Sequence, residues 1–262
     1  MALFWDRLTA AHGAPPSWVI ALSAAIALVA VASPRLWRVT RIAITIAHES
    51  GHAAASVLSG RRLEGIRLHA DTSGETVSRG RRTGPGVVVT ALAGYVTPPL
   101  LGAGAAALLG TGRATLLLAL LLLLLAVTLA LVRNWYGVLA VLLTGGALVA
   151  VIAAADPAVR AAFAYAVCWF LLFGGVRPVA ELARTRRRAA RWATGQRFPA
   201  GQRTRTGRPG PPASDADQLG SLTGVPAGVW VALFALVALG ALALGARLLI
   251  PWPAHLQLPG HG

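Results

Sequence analysis

The sequence predicts an all-α polytopic membrane protein of about seven transmembrane helices, with one small β-hairpin after the second. Three observations carry this. Of 262 residues, 56% are hydrophobic and the mean hydropathy is +0.64, too apolar for an ordinary soluble domain and too long for a single anchor. Apolar runs recur along the chain at about 20 residues, the length a ~30 Å hydrocarbon core requires. Between the second and third runs, the pattern switches to apolar–polar alternation with period two, which reads as strand.

Residues 1–16 form a short mixed segment with Trp5, Asp6 and Arg7, followed by a first run from about Ser17 to Ala32. Ala30-Val31-Ala32 resembles a signal-peptidase site, but the charged region before it is thin, and a retained helix is expected. The second span runs from about Leu36 to Leu58 and is closed by Gly60-Arg61-Arg62. In residues 63–79, Ile66, Leu68 and Ala70 alternate with Arg67 and His69, and Ser73-Gly74 supplies a turn before Thr76 to Ser78. Further spans run from about Val87 to Leu109, Ala114 to Val132, Tyr136 to Ala155 and Ala158 to Val176, completing a membrane domain over residues 17–183. Gly102, Ala106 and Gly110 put small residues at every fourth position, a pattern that permits close helix contact.

Residues 184–213 form an Arg/Gly/Pro-rich loop. Residues 214–250 then hold Ser214-Asp215-Ala216 and a last span from about Ala227 to Ile250, and a tail follows over 251–262. Trp18, Trp37, Trp135 and Trp252 fall near span ends, as interfacial tryptophans tend to.

All 24 basic residues are arginine, and the formal charge is +15. They flank hydrophobic spans and carry no nucleic-acid-reading motif, so the expected partner is the lipid bilayer and no nucleic acid. Seven spans put 18 arginines on the side shared by the N-terminus, the hairpin, Arg133 and the long loop, and 6 on the other. The positive-inside rule then places the N-terminus and the hairpin side in the cytoplasm of a bacterial-type plasma membrane. A single cysteine, Cys168, excludes an internal disulfide and a cysteine zinc cluster, and is expected as a small core residue.

Inside the second span lies His48-Glu49-Ser50-Gly51-His52, an H-E-x-x-H motif. Residues i and i+4 of a helix share one face, so both imidazoles can be aimed at one tetrahedral Zn2+, with Glu49 beside them to take a proton from water. The bland alternative is a histidine pair packed between helices. Ionisable groups in a membrane helix cost roughly 2.5 to 3.5 kcal/mol each on insertion scales, which weighs against residues kept there without a role.

Three matches in order bear on the family: His48 to Ala53 in a membrane helix, the Gly60 to Ser78 hairpin region, and Ala91-Leu92-Ala93-Gly94-Tyr95-Val96-Thr97-Pro98-Pro99-Leu100 at the next helix. On these residues the chain resembles the site-2 protease family of intramembrane zinc metalloproteases. It is most similar to a bacterial and plant branch with Gly-Tyr in place of Gly-Pro. Arg133-Asn134 and Ser214-Asp215-Ala216 also resemble elements of that branch, and the resemblance covers about residues 40 to 235.

The resemblance implies hydrolysis of a peptide bond in or near a transmembrane helix of a substrate protein. It implies His48 and His52 as ligands of one zinc and Glu49 as the catalytic base, with the hairpin offering a strand edge to an unwound substrate. It also implies a third ligand, usually an aspartate from an Asp-Gly pair in a later helix, where this chain has Thr144-Gly145-Gly146. Asp215 is the choice for that ligand, with Asp217 and Glu181 next; Asp215 could instead cap the helix beginning near Asp217. Two other readings remain open: an inactive scaffold or regulator with this fold, and a transporter, for which no internal repeat or matched pair of broken helices is seen.

Overall fold

The computed structural model describes residue 11, residues 13–195 and residues 214–250. It is mostly helical, with one two-stranded antiparallel sheet. The chain runs α1 (Ser17–Ala32), α2 (Pro34–Leu58), β1 (Arg62–Leu68), β2 (Gly74–Arg79), α3 (Pro85–Gly110), α4 (Ala114–Leu131), α5 (Trp135–Ala154), α6 (Pro157–Gly195), α7 (Asp215–Thr223) and α8 (Ala227–Leu249). The proposed N-terminal segment, the end of the Arg-rich loop, the tail and Trp252 lie largely outside the described residues.

The expected count of seven spans is not confirmed among the described residues. Among these, five helices, α3, α4, α5, α6 and α8, are long and apolar enough to cross a membrane, and a sixth span is counted if α1 and α2 are taken as one. These two meet at a bend of 100°, with only Ser33 between them. Pro34 sits in the first turn of α2, where its missing N–H costs no helical bond, and Ser33 caps the helix by accepting from Leu36 N at 3.5 Å. Arg35, Arg38 and Arg41 then occupy the first two turns of α2, too polar for a second independent crossing. The hairpin, the α4–α5 turn and the C-terminal end of α6 remain on one side under either count, because two crossing helices separate each from the next.

The membrane helices expose leucine and valine outward, for example Leu123, Val127, Leu143 and Leu236, while small residues and aromatics fill the interior. One interior cluster gathers Ala106, Leu118, Cys168, Trp169 and Leu172. Cys168 is a core residue there, its thiol donating to Gly102 O at 3.4 Å. Of the small-residue stripe, Gly102 and Ala106 pack inward, whereas a Cβ on Gly110 would meet open space. Trp18 and Trp135 stand exposed near helix ends, but Trp37 is buried, with the Arg177 guanidinium 4.8 Å over its ring. The segment expected as a loop from 184 begins as helix, since α6 continues to Gly195.

The hairpin forms where the alternation predicts, with Leu63 opposite Ser78, Ile66 opposite Thr76 and Leu68 opposite Gly74. Ile66 and Leu68 are fully buried while Arg67 faces out. In the turn, Ser73 donates its hydroxyl and N–H to Asp71 Oδ1 at 2.6 and 3.0 Å, holding that carboxyl below the ordinary aspartate range. The turn is therefore tied at neutral pH and loosens only as pH falls through that lowered value.

Arg133-Asn134 anchors the sheet. Val132 bridges Ile66 in parallel, Arg133 N donates to Ile66 O at 2.9 Å, and the Asn134 amide closes on Leu68, accepting from its N–H at 3.1 Å and donating to its carbonyl at 2.6 Å. The outer edge of β1 is thereby covered, and the outer edge of β2 is left without a strand partner among the described residues. Asn134→Ala would orphan both backbone groups of a buried residue, each at about 1–3 kcal/mol. We expect hydrogen exchange across residues 62–79 to accelerate at least tenfold in that variant while exchange in α6 and α8 is unchanged.

Candidate metal centre and active site

The site begins with helix geometry. One turn of α2 separates His48 from His52, and their Nε2 atoms lie 3.1 Å apart. His52 Nδ1 donates to Thr90 O on α3 at 2.6 Å, which fixes the tautomer and leaves Nε2 as a lone-pair donor. The ring of His48 meets Tyr95 edge to face at 4.9 Å, and Tyr95 in turn stacks on Phe234 of α8 at 4.8 Å.

From the start of α7, Asp215 brings Oδ2 to 3.2 Å from His48 Nε2 and 3.3 Å from His52 Nε2. The local sequence explains how. Ser214 is the N-cap of α7, and Asp217 completes a capping box by accepting from Ser214 N at 3.0 Å. Ala216 and Leu219 are fully buried against Ala91, Val179 and Phe234. Ser214 and Asp217 thus do the capping that Asp215 was weighed for, and its carboxylate is free to reach the histidines.

The donor set fits a metal ion. Four-coordinate zinc with bonds of 2.0 to 2.2 Å places its ligand atoms about 3.3 Å apart, which the three observed separations match. The three donor atoms lie within 4.8 Å of one another. Burial pushes the Asp215 carboxyl up, but the two imidazoles outweigh it and hold the group well below the ordinary range, as the charged ligand form.

The other two candidates for this position are engaged elsewhere. Asp217 pairs with Arg186, and although desolvation pushes it up, Ser214 and Arg186 hold it low. Glu181 accepts from Arg177 Nε at 2.9 Å. Thr144 donates back to Ala140 O at 2.8 Å within α5 and lines a separate apolar cavity.

Glu49 is buried beside the histidines, only 4% exposed. Thr76 of β2 donates to its Oε2 at 2.7 Å, and Thr45 donates to Thr72 O at 2.8 Å, so the hairpin is laid across this helix face. Gly74 permits the approach, because a Cβ there would stand 2.6 Å from Glu49 Cγ. On the other flank, Gly51 lets α3 close on α2, since a Cβ would lie 2.7 Å from Thr97 Cβ. Two cavities meet at His48, Glu49 and Gly74: one of about 400 Å³ follows β2 past His52 and Asp215, and one of about 160 Å³ reaches Trp37, Arg41 and Tyr95.

Gly94 and Thr90, like Thr76 and Tyr95, contribute in ways that sequence reasoning did not supply. Gly94 was visible as part of Gly-Tyr, without a role; a Cβ there would overlap both Nε2 atoms. Thr90 acts through its backbone carbonyl, for which no side-chain signal exists.

The Peptidase M50B-like family model matches residues 21–245, and the chain belongs to that family, which is the site-2 protease family of zinc metalloproteases. No curated protein and no solved structure matches the chain. The match supports a membrane-embedded peptidase class and takes in both the motif helix and Asp215.

The Gly94 contact gives a test that needs no substrate. Gly94→Ala should lower metal per purified chain, by elemental analysis, to under a tenth of the unaltered protein. Gly104→Ala on the same helix, where a Cβ meets open space, should leave it unchanged.

Proposed function

We propose that this protein is an intramembrane zinc endopeptidase that hydrolyses a peptide bond in or near a transmembrane helix of another membrane protein. The observation that supports this most is the approach of Asp215 to both histidines of the H-E-x-x-H helix, at 3.2 and 3.3 Å, directly beside buried Glu49. His48, His52 and Asp215 would hold one Zn2+. When bound, zinc supplies Lewis acidity toward the scissile carbonyl and brings the pKa of a coordinated water to about 7.

The remaining work falls to the chain. Glu49 is the base: Thr76 ties down Oε2, and among the described residues Oε1 accepts no hydrogen bond, so it is open to take the proton as water attacks the carbonyl carbon. The same carboxyl then returns that proton to the departing amide nitrogen. His52 is oriented by Thr90 O and His48 is buttressed by Tyr95, so neither ring must reorganise during the reaction.

A substrate helix shields its peptide bonds by its own hydrogen bonding and must unwind to be cut. The open edge of β2 can take the exposed backbone as an added strand, leading it along the larger cavity past Glu49. The lipid bilayer is the second partner, holding enzyme and substrate in one plane. The hairpin, the Arg133 turn and the 177–208 segment carry 17 of the 24 arginines, which favours a cytoplasmic site side in a bacterial-type plasma membrane. If α1 and α2 make one crossing, the start of α1 lies on the opposite face from the hairpin.

The inactive-scaffold alternative rested on Thr144-Gly145-Gly146 lacking a carboxylate, and the approach of Asp215 to both histidines weighs against it. Glu49→Gln should reduce cleavage of a transmembrane substrate by about 10²- to 10⁴-fold while zinc content is retained; cleavage at the unaltered rate would remove Glu49 from the chemistry. In parallel, Asp215→Asn should lose zinc, whereas Asp217→Asn and Glu181→Gln should keep it. The opposite pattern would assign the third ligand elsewhere.

A further inference from the structure

The smaller cavity beside Glu49 has a feature that the hydrolytic chemistry does not use. Its wall carries Arg41, half-buried on α2, together with Trp37, Thr45, Ser73 and Tyr95. Two other arginines near the site are satisfied within the chain: Arg177 by Glu181 and Val31 O, Arg186 by Asp217. Among the described residues, no carboxylate pairs with Arg41. An arginine within a largely apolar helix bundle is costly to leave without an anion.

Position supplies the rest. Arg41 precedes His48 by seven residues, two helical turns, so it lies on the same face about 10 Å along the axis. Gly74, the first residue of β2, borders both cavities. A chain added to the open edge of β2 therefore passes Glu49 and, continuing beyond Gly74, enters the cavity that holds Arg41. At about 3.3 Å per extended residue, 10 Å corresponds to about three residues from the bond at Glu49. The cavity, about 160 Å³, accommodates one side chain of modest size.

We propose that Arg41 is a specificity-determining residue, binding the carboxylate of an Asp or Glu side chain about three residues from the scissile bond. The inference rests on the endopeptidase reading above and extends it to substrate class: membrane proteins with an acidic residue close to the cleaved position. The planar guanidinium suits a carboxylate, offering two parallel N–H donors. Trp37 and Tyr95 provide flat walls that limit water around the pair.

The test uses full-length protein in lipid nanodiscs and a transmembrane peptide in which a single Glu, Ala or Lys is stepped through successive positions. Binding is measured on Glu49→Gln protein by fluorescence anisotropy, and cleavage on protein with Glu49 intact. Glu at one position, about three residues from the cut, should bind about tenfold more tightly than Ala and raise kcat/KM by a similar factor, with Lys below Ala. Arg41→Glu should invert the ranking so that Lys is best, and Arg41→Lys should retain the acidic preference. Equal binding of Glu, Ala and Lys at every position, or a preference unchanged in Arg41→Glu, overturns the proposal. Cleavage without any acidic preference removes the Arg41 site and leaves the peptidase reading standing. An acidic binding preference that follows Arg41, with no cleavage of any peptide, supports the site and overturns the peptidase reading.

Discussion

The candidate site depends on one contact: the carboxylate of Asp215 against the imidazoles of His48 and His52. Three ionisable side chains are gathered inside a largely apolar bundle, where a lone charge costs several kcal/mol, so they are tolerable only together or around a cation. Much of the surrounding structure serves to make that meeting possible. Ser214 and Asp217 cap α7, Ala216 and Leu219 bury it against α3, α6 and α8, and Gly94 leaves the space in which the donor atoms converge. Thr90 O and Tyr95 then set the two rings.

The same constraint orders the acidic residues generally. Glu49 is held by Thr76, Glu181 by Arg177, Asp217 by Arg186 and Glu64 by Arg79, while Asp156 caps α6 by accepting from Val159 N at 2.9 Å. Asp215 differs from its neighbours Asp217 and Glu181 in having histidines, and no arginine, as its partners. Two carboxylates two residues apart in one short helix thereby take different tasks, one structural and one directed at the site. Chemical identity alone could not separate them; the capping geometry does.

What was legible in the sequence followed from periodicity and spacing. Alternation at Ile66 and Leu68 marked the hairpin because a half-buried strand must alternate, and the i, i+4 histidines required a helix to share a face. Cys168 read as core, and is. The span count did not transfer, because hydropathy detects apolar length but not direction: α1 and α2 are separated by one residue and turn through 100°, which a window average cannot register. Trp37 does fall near the start of α2, but its burial against Val31, Ile44 and Leu171, with Arg177 over its ring, is tertiary packing that sequence position does not reveal. Gly94 and Thr90 act through a missing Cβ and a backbone carbonyl, features invisible until the helices are packed. The long-range return of Asp215 was accessible only through the Ser-Asp-Ala resemblance, as loop residues between α6 and α7 carry no geometric signal of where the chain comes back.

The central claim is that two histidines of α2 and one aspartate of α7 form a single zinc site. Zinc-edge X-ray absorption of purified protein, never exposed to chelator, addresses it most directly. The account predicts about one zinc per chain with two imidazole nitrogens and oxygen ligands at about 2.0 to 2.2 Å, and loss of that spectrum in Asp215→Asn. Folded protein without zinc, or an unchanged spectrum in Asp215→Asn, would contradict it.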